Sequence, residues 1–131
     1  MNGNVLLDTN IIIRLWANDP VIIKNIAEVK RVFVPSTVFG ELYYGAFHSK
    51  NIESNLNRIV EFSKKVGILS ADFNTAFFYG EIKANLKSKG TPIPENDIWI
   101  AALAKQYKIT LITRDTHFNF ISDIDIQNWS E

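Results

Sequence analysis

Four acidic side chains lie at positions from which they could act together in one site. They are far apart along the 131-residue chain and are flanked by apolar segments: Asp8, Glu41, Asp97 and Asp115. Two carboxylates about 4 Å apart repel each other by roughly 4 kcal/mol at an effective dielectric constant near 20, so several of them together need protons or a cation. The chain has no cysteine and only two histidines. An oxygen-ligated Mg²⁺ or Mn²⁺ is therefore the expected metal, and such an ion suits attack of water on a phosphodiester.

Each acid also has an explanation that involves no chemistry. An Asp that follows a strand is often a turn former or the cap of the next helix. Asp97 is predicted in the first turn of a helix, where a negative charge is favourable. Glu41 is harder to explain in this way, because its helix is almost entirely apolar and charged side chains are rarely buried without a partner. Both kinds of explanation remain open from the residues alone.

The elements that would position these acids alternate between strand and helix. Short apolar runs predict strands at 5–7, 32–34, 66–69, 110–113 and 124–126. Helical patterns lie between them, at 11–16, 21–29, 37–48, 52–65, 71–89 and 95–107. The predicted caps of these helices are Asp19, Ser36 and Ser70, and Gly90 is a predicted helix end. The alternation predicts a three-layer α/β/α fold around a parallel sheet of about five strands.

The topology of such a sheet determines where a site would form. Ligand sites in parallel sheets lie beyond the carboxyl ends of the strands, at the point where the strand order reverses. Asp8 ends the first predicted strand, and Asp115 closely follows the fourth. If these two strands are neighbours, both carboxylates meet in one crevice.

Composition sets the class of protein. With 47% hydrophobic and 21% charged residues, the chain has ordinary globular composition, and its length predicts one domain spanning residues 1–131. The formal net charge is zero, which counts against a broad duplex binder but permits an enzyme that grips a short single strand. No apolar stretch is long enough for a membrane span, and the start lacks the pattern of a secretion signal. A cytoplasmic protein is expected.

Four sequence blocks resemble those of one known family. They are LLDTN at 6–10, FGELYYGA at 39–46, PENDIWIAALA at 94–104 and LITRDTHF at 111–118. In this order they are similar to the PIN-domain nucleases, and most of all to the VapC-like toxins of bacterial toxin–antitoxin pairs. The resemblance extends from Val5 to about Phe118. It implies a PIN-like, Rossmann-related fold and an endoribonuclease, dependent on Mg²⁺ or Mn²⁺, that cuts single-stranded or structured RNA and leaves a 5′-phosphate.

The resemblance also implies roles for the acids. Asp8 and Asp97 would be the principal metal ligands, and Asp115 would complete the site directly or through water. Glu41 would bind a metal-held water or help to position the nucleophile. Members of the family commonly form homodimers and are silenced by an antitoxin peptide that covers the substrate groove.

Other polar residues beside the acids are candidates for supporting roles. Asn10 and Thr113 match family positions that support the acids by hydrogen bonding, although a helix-start or strand-end hydrogen bond explains them equally well. Arg14 and Arg114 are candidates for contact with RNA phosphates. His117 follows Asp115 by two residues and could act as a general acid or base, although capping or packing is the more ordinary role.

The helix predicted at 37–48 is unusually aromatic. Its four aromatic side chains are Phe39, Tyr43, Tyr44 and Phe47. They are expected either in the core or on a face that receives an antitoxin helix or a second protomer. Gly40 and Gly45 are expected to allow close packing beside Glu41, since glycine is otherwise unfavourable inside a helix.

Several other classes fail at named positions. A haloacid-dehalogenase-type phosphatase needs a second Asp where this chain has Asn10, and a phospho-receiver domain needs an acceptor Asp where it has Ser70. No cluster of glycines follows Leu7, so a P-loop or dinucleotide fingerprint is absent. The remaining alternative is a PIN-fold module that binds RNA or protein without cleavage.

Overall fold

Strands and helices alternate along the chain in the computed structural model, which describes residues 3–131. Within these residues the strands are β1 (Asn4–Leu7), β2 (Arg31–Pro35), β3 (Gly67–Leu69), β4 (Thr110–Ile112) and β5 (Ile126–Gln127). The α-helices are α1 (Thr9–Trp16), α2 (Pro20–Glu28), α3 (Ser36–Phe47), α4 (Ile52–Ser63), α5 (Phe73–Ser88) and α6 (Glu95–Tyr107). A short 3-10 helix, Thr116–Phe120, follows β4.

All strand pairs of the sheet are parallel, in the order β3-β2-β1-β4-β5. The chain therefore builds one side of the sheet from β1 outward and then crosses over to place β4 on the other side of β1. Leu7 pairs with Ile112, and the Asp8 backbone N–H continues the ladder with a 3.0 Å bond to the Ile112 carbonyl. The predicted parallel α/β/α fold is confirmed, and the strand order reverses between β1 and β4.

The core lies on both faces of β1. Val5, Leu6 and Leu7 are completely buried, which explains why these three positions of β1 form an unbroken apolar run. On α6, six residues from Ile98 to Ala104 are buried, and three of them are alanines that allow the helix to lie close to its neighbours. Among the described residues, no helix has the length and apolarity that crossing a membrane would require.

Two of the predicted helix starts are wrong. Ser36 is the first residue of α3 and makes no cap, because the N-cap position is one residue earlier, at Pro35, whose side chain cannot accept a hydrogen bond. Ser70 lies ahead of α5, which begins at Phe73 after a reciprocal capping box: Asp72 Oδ1 accepts from the Thr75 backbone N–H at 3.0 Å, and Thr75 Oγ1 accepts from the Asp72 backbone N–H at 2.9 Å. The two-way pairing satisfies more backbone groups than a single serine cap at Ser70.

The other predicted helix signals are confirmed. Asp19 caps α2, where its carboxylate accepts from the Val21 backbone N–H at 3.0 Å and Pro20 occupies the first helical position. Gly90 follows α5 with a φ of 70°, a left-handed conformation that glycine adopts without steric cost. The fifth strand begins two residues later than expected, at Ile126.

Candidate active site

Asp8 lies at the centre of the crevice between β1 and β4, and it is 4% exposed. It ends β1 and caps α1, where Oδ1 accepts from the Thr9 backbone N–H at 2.8 Å. Oδ2 accepts from Thr113 Oγ1 at 2.7 Å and from Asn10 Nδ2 at 3.2 Å. Burial raises the pKa of Asp8, the hydrogen bonds from Thr113 and Thr9 partly offset this, and the charge of Asp115 raises it again. The fixed carboxylate therefore has a dual role as helix cap and as part of an acidic crevice.

Asp97 enters the same crevice from the first turn of α6. The positive end of the helix dipole favours a carboxylate there. Nevertheless, burial above all, and then the charges of Asp115 and Asp8, raise the pKa of Asp97 to about 6. Asp97 and Asp115 offer ligand atoms within 4.8 Å of each other. Thr113 Oγ1 bonds both Asp8 Oδ2 and the Asp115 backbone N–H, so three acids from distant parts of the chain lie around one crevice.

Asp115 and His117 belong to the loop after β4. Asp115 caps the 3-10 helix by accepting from the His117 backbone N–H at 2.9 Å. The ring of His117 folds back over this cap, so that Nδ1 lies 3.0 Å from Asp115 Oδ1 and 3.2 Å from Asp97 Oδ2. The imidazole is thus in direct contact with two of the predicted acids. Its only signal in the sequence was its position two residues after Asp115.

Glu41 differs from the sequence prediction, because it lies on the exposed side of α3. The predicted burial is wrong: the apolar core face of α3 is formed by Val38, Phe39 and Leu42 instead. Glu41 Oε1 accepts from Thr9 Oγ1 at 2.8 Å, which brings it to the rim of the crevice. Partial desolvation raises the pKa of Glu41, the Thr9 hydrogen bond lowers it, and the nearby charges of Asp8 and Asp115 raise it.

The two glycines of α3 do not serve close packing, which corrects the second expectation for this helix. A Cβ added at Gly40 or Gly45 would meet nothing within 4 Å. Both residues lie on the exposed side of the helix and line surface hollows on either side of Glu41. The missing side chains therefore keep these hollows open.

The donor set of the crevice fits a divalent metal ion. Asp97, Asp115 and His117 each offer one ligand atom, and these atoms all lie within 4.8 Å of one another. Asp8 and Glu41 lie around this group, where burial is the main cause of their raised pKa values and crowding with the charge of Asp115 adds to it. A bound cation would relieve this crowding. Carboxylate oxygens are the ligands that Mg²⁺ and Mn²⁺ take in proteins.

The two predicted RNA-binding arginines lie to one side of the crevice, beside Asp19. Arg14 is 3.8 Å and Arg114 is 3.7 Å from an Asp19 carboxylate oxygen. Arg114 also donates to the Asn128 carbonyl at 3.0 Å and to the Trp129 carbonyl at 2.5 Å, which fastens the C-terminal segment. Within residues 3–131, neither arginine forms an ion pair with any of the four acids. RNA contact by these residues stays a prediction.

Comparisons with known proteins agree with this geometry. Residues 5–123 match the PIN domain family. The chain is 34% identical over 131 residues to Ribonuclease VapC1 of Haemophilus influenzae, which covers 96% of this chain and 98% of that protein. It is 30% identical over 128 residues to the tRNA(fMet)-specific endonuclease VapC of Shigella flexneri, which covers 95% of this chain and 97% of that protein.

A solved relative extends the agreement to three dimensions. The structure of VapBC-1 from nontypeable Haemophilus influenzae superimposes with a TM-score of 0.90 at 32% identity, over 98% of this chain and 99% of that chain. The family match, the sequence identity and the superposition therefore point to the same family. The chain belongs to the PIN-domain family and, within it, to the VapC-like ribonuclease toxins.

Proposed function

We propose that this protein is a divalent-metal-dependent endoribonuclease and the toxin of a toxin–antitoxin pair. The observation that carries the proposal is the convergence of Asp8, Asp97 and Asp115 at the point where the strand order reverses, through the contacts of Thr113 and His117. Burial first of all, and then the charges of Asp115 and Asp8, raise the pKa of Asp97 to about 6, and a bound cation would stabilise the ionised carboxylate against both effects. The names of the curated relatives, ribonuclease and endonuclease, support RNA as the substrate.

The residues of the crevice are assigned different roles in phosphodiester hydrolysis. When bound, a hard divalent ion supplies positive charge and Lewis acidity toward the phosphate. Asp97 and Asp115 present ligand atoms, while Thr113 fixes the orientation of Asp8. Glu41, at the rim and with its pKa raised, is placed to accept a proton from the water that attacks phosphorus. The bond from phosphorus to the 3′-oxygen then breaks and the leaving oxygen takes up a proton from solvent, which leaves a 3′-hydroxyl and a 5′-phosphate.

A cleft beside Glu41 is proposed to receive the RNA. It has a volume of about 620 Å³ and is lined by Thr9, Thr37, Gly40, Glu41, Tyr44 and Asn96. Tyr44 is 67% exposed and its ring packs against His48 at a centroid distance of 4.2 Å, so a base is proposed to stack on the other face, and Gly40 leaves the floor of the cleft free. A cleft of this kind favours a single strand, since a duplex would need a broad basic face.

The test of the nuclease is cleavage of a mixed RNA pool by the purified chain. Cleavage with Mg²⁺ or Mn²⁺ that stops with EDTA is expected, and Asp8→Asn and Asp97→Asn are expected to abolish it while the protein stays folded. Asp123→Asn is the matched control, because Asp123 is exposed and lies in a left-handed conformation that Asn tolerates. Cleavage that resists EDTA would count against the proposal. RNA that is bound but never cut would favour the binding module.

The antitoxin is proposed to occupy an apolar groove between α1, α3 and α4. The groove has a volume of about 370 Å³, and its apolar lining includes Ile13, Trp16, Leu42 and Ile59. Glu41 lines this groove as well as the rim of the acidic crevice, so an occupant of the groove lies beside the proposed active site. We propose that the occupant is an apolar segment of an antitoxin, which matches the VapBC name of the solved relative.

Assembly and location are the remaining parts of the proposal. The family resemblance implies a homodimer, and the mass of the purified chain in solution, measured by light scattering, tests it. A monomer at all concentrations would contradict this expectation. We propose that the protein acts in the cytoplasm, where its RNA substrates are made.

A further inference from the structure

We propose that His117 is a metal ligand, which shifts the preference of the site from Mg²⁺ toward first-row transition ions such as Mn²⁺. This inference rests on the proposed metal-dependent function and names the ion class that the same crevice selects. The residue lies beyond the four acids that the sequence singled out. Its contact with two of them is the observation to explain.

Two of the three separations between the ligand atoms match the edges of an octahedral site. Ligands about 2.1 Å from an octahedral ion lie about 3.0 Å from each other along the edges of the octahedron. His117 Nδ1 lies 3.0 Å from Asp115 Oδ1 and 3.2 Å from Asp97 Oδ2, which matches two such edges that share a corner. A proton on the ring that bridges the two carboxylates would give the same distances. The two alternatives differ in whether a bound ion touches nitrogen.

The backbone holds the ring at this corner. The His117 N–H is bonded to Asp115 Oδ1 at 2.9 Å, so the residue is fixed relative to its neighbouring ligand. The next residue, Phe118, is completely buried and anchors the 3-10 helix in the core. The His117 side chain is 48% exposed, which leaves its outer edge toward solvent while Nδ1 faces the carboxylates. His117 is therefore held in a position from which it could bind an ion without rearrangement, as a preorganised ligand should be.

The chemistry of the donor atoms sets the preference. Mg²⁺ is bound in proteins through carboxylates and water, and it dehydrates reluctantly. Imidazole nitrogen is a softer donor that suits transition ions. Two carboxylates and one imidazole therefore gain more from a transition ion than from Mg²⁺. With the imidazole removed, the remaining oxygen ligands should discriminate less between transition ions and Mg²⁺.

Mn²⁺ is the probe, because its electron spin reports directly on nitrogen in its coordination sphere. The metal-free full chain is titrated with Mn²⁺, with Mg²⁺ as competitor, and spin-echo spectra are searched for coupling to ¹⁴N. The variants are His117→Ala and His117→Gln, of which the second can keep a hydrogen bond but has no imidazole. His48→Ala is the matched control, because the only other histidine lies at the end of α3 with Nδ1 3.1 Å from the Tyr44 carbonyl.

The expected result is ¹⁴N coupling in the wild type and in His48→Ala, and its loss in both His117 variants. Mn²⁺ affinity should fall by at least about tenfold in these variants, with Mg²⁺ affinity nearly unchanged. Thermal unfolding of each metal-free variant verifies that it is folded. Tight Mn²⁺ binding without nitrogen coupling, or coupling that survives in His117→Gln, would overturn the inference and leave the nuclease proposal intact. Absence of any metal binding by the wild type would overturn both.

Discussion

Thr113 Oγ1 donates a 2.7 Å hydrogen bond to Asp8 Oδ2, across 105 positions of sequence. The same hydroxyl oxygen accepts from the Asp115 backbone N–H at 3.0 Å and from Asn10 Nδ2 at 3.3 Å. One buried hydroxyl therefore fixes the acid that follows β1 and the loop that carries the acid after β4. The pairing of these two strands brings the hydroxyl to this place.

Replacing this hydroxyl should weaken metal binding more than it weakens the fold. In Thr113→Val the shape is kept but Asp8 loses a donor, so its carboxylate is less firmly oriented and its pKa rises further. We expect a loss of about 10- to 100-fold in Mn²⁺ affinity by calorimetry. The free energy of unfolding in urea should fall by about 1–2 kcal/mol. Thr113→Ser, which keeps the hydroxyl, should stay close to wild type, and unchanged Mn²⁺ affinity in Thr113→Val would contradict the assigned role.

Asp97 should make the stability of the metal-free protein depend on pH. The pKa of Asp97 is about 6 in the folded protein against 3.8 in the unfolded chain, so between these values the folded state holds the proton more tightly. Stability should therefore fall as the pH rises through this window, by at most about 3 kcal/mol. Asp97→Asn removes the titrating carboxyl group, so this fall in stability should be absent in the variant. The variant should be more stable than wild type near about pH 8, and the difference should shrink toward about pH 4.

Urea unfolding of both proteins across this pH range measures the effect. Added Mn²⁺ should stabilise the wild type and not the variant, because only a state that binds the ion is stabilised by it. Asp123→Asn, an exposed acid outside the crevice, should follow the wild-type profile. A difference in stability between Asp97→Asn and wild type that stays constant from about pH 4 to about pH 8 would contradict the raised pKa.

The sequence predicts the parallel sheet and the crevice because both depend on local, periodic features. Buried strands such as β1 are unbroken apolar runs, and the alternation with helices limits the topology to a few choices. An acid that ends a strand, such as Asp8, must then lie at the carboxyl edge of the sheet. The helix starts were less certain, because Ser70 and Asp72 compete as caps and only the side chain of Thr75 decides between them.

The sequence did not predict features that depend on how a side chain turns in three dimensions. Glu41 lies in an apolar helix, but several of its apolar neighbours, such as Tyr44 and Phe47, are themselves exposed. The burial expected for Glu41 therefore did not follow from composition. His117 contacts Asp97 only because the 3-10 helix turns its ring back over the crevice. No periodic pattern in a five-residue segment carries that information.

Glu41 should affect catalysis and not metal affinity. It lies outside the group of ligand atoms formed by Asp97, Asp115 and His117, and it is held at the rim by Thr9. Glu41→Gln keeps the shape but cannot accept a proton. We expect the rate of RNA cleavage to fall by about 10²- to 10⁴-fold, while calorimetry shows an unchanged Kd for Mn²⁺.

Glu53→Gln is the matched control for this change, because Glu53 is an exposed acid in the first turn of α4. It should cleave RNA like the wild type. If Glu41→Gln lost metal affinity and activity together, Glu41 would be a ligand. If it lost neither, it would have no role in the reaction.

Gly40 allows a test of the proposed RNA cleft that separates binding from stability. A Cβ at Gly40 meets nothing within 4 Å, and the same holds for Gly80 in α5, which does not line the cleft. Gly40→Leu and Gly80→Leu should therefore both stabilise their helices, each by up to about 1 kcal/mol. Only Gly40→Leu places a side chain in the cleft. A stacked base contributes about 1–3 kcal/mol, and the leucine side chain would displace it. The KM of Gly40→Leu for RNA should therefore rise by about tenfold or more. Equal KM values for the two variants would place the RNA elsewhere.

The apolar groove predicts a variant that stays toxic when its antitoxin is present. Ile13 is 54% exposed on α1 and lines the groove, so Ile13→Asp should fold and cleave RNA normally, yet put a charge where an apolar segment must dock. The partner to test is a small protein that is encoded beside this gene and binds the wild-type chain. Its affinity should fall by at least about thirtyfold, the loss typical of a central contact.

Growth of bacteria that express both proteins gives the readout. The wild-type chain should arrest growth alone and be neutralised by the partner, whereas Ile13→Asp should arrest growth in both cases. Ile23→Asp is the matched control, because Ile23 is similarly exposed at 44% but lies on α2, outside the groove. Charging a surface isoleucine there should not alter neutralisation. Because only the location of the charge differs between the two variants, an Ile13→Asp protein that is still neutralised would exclude this groove as the docking site.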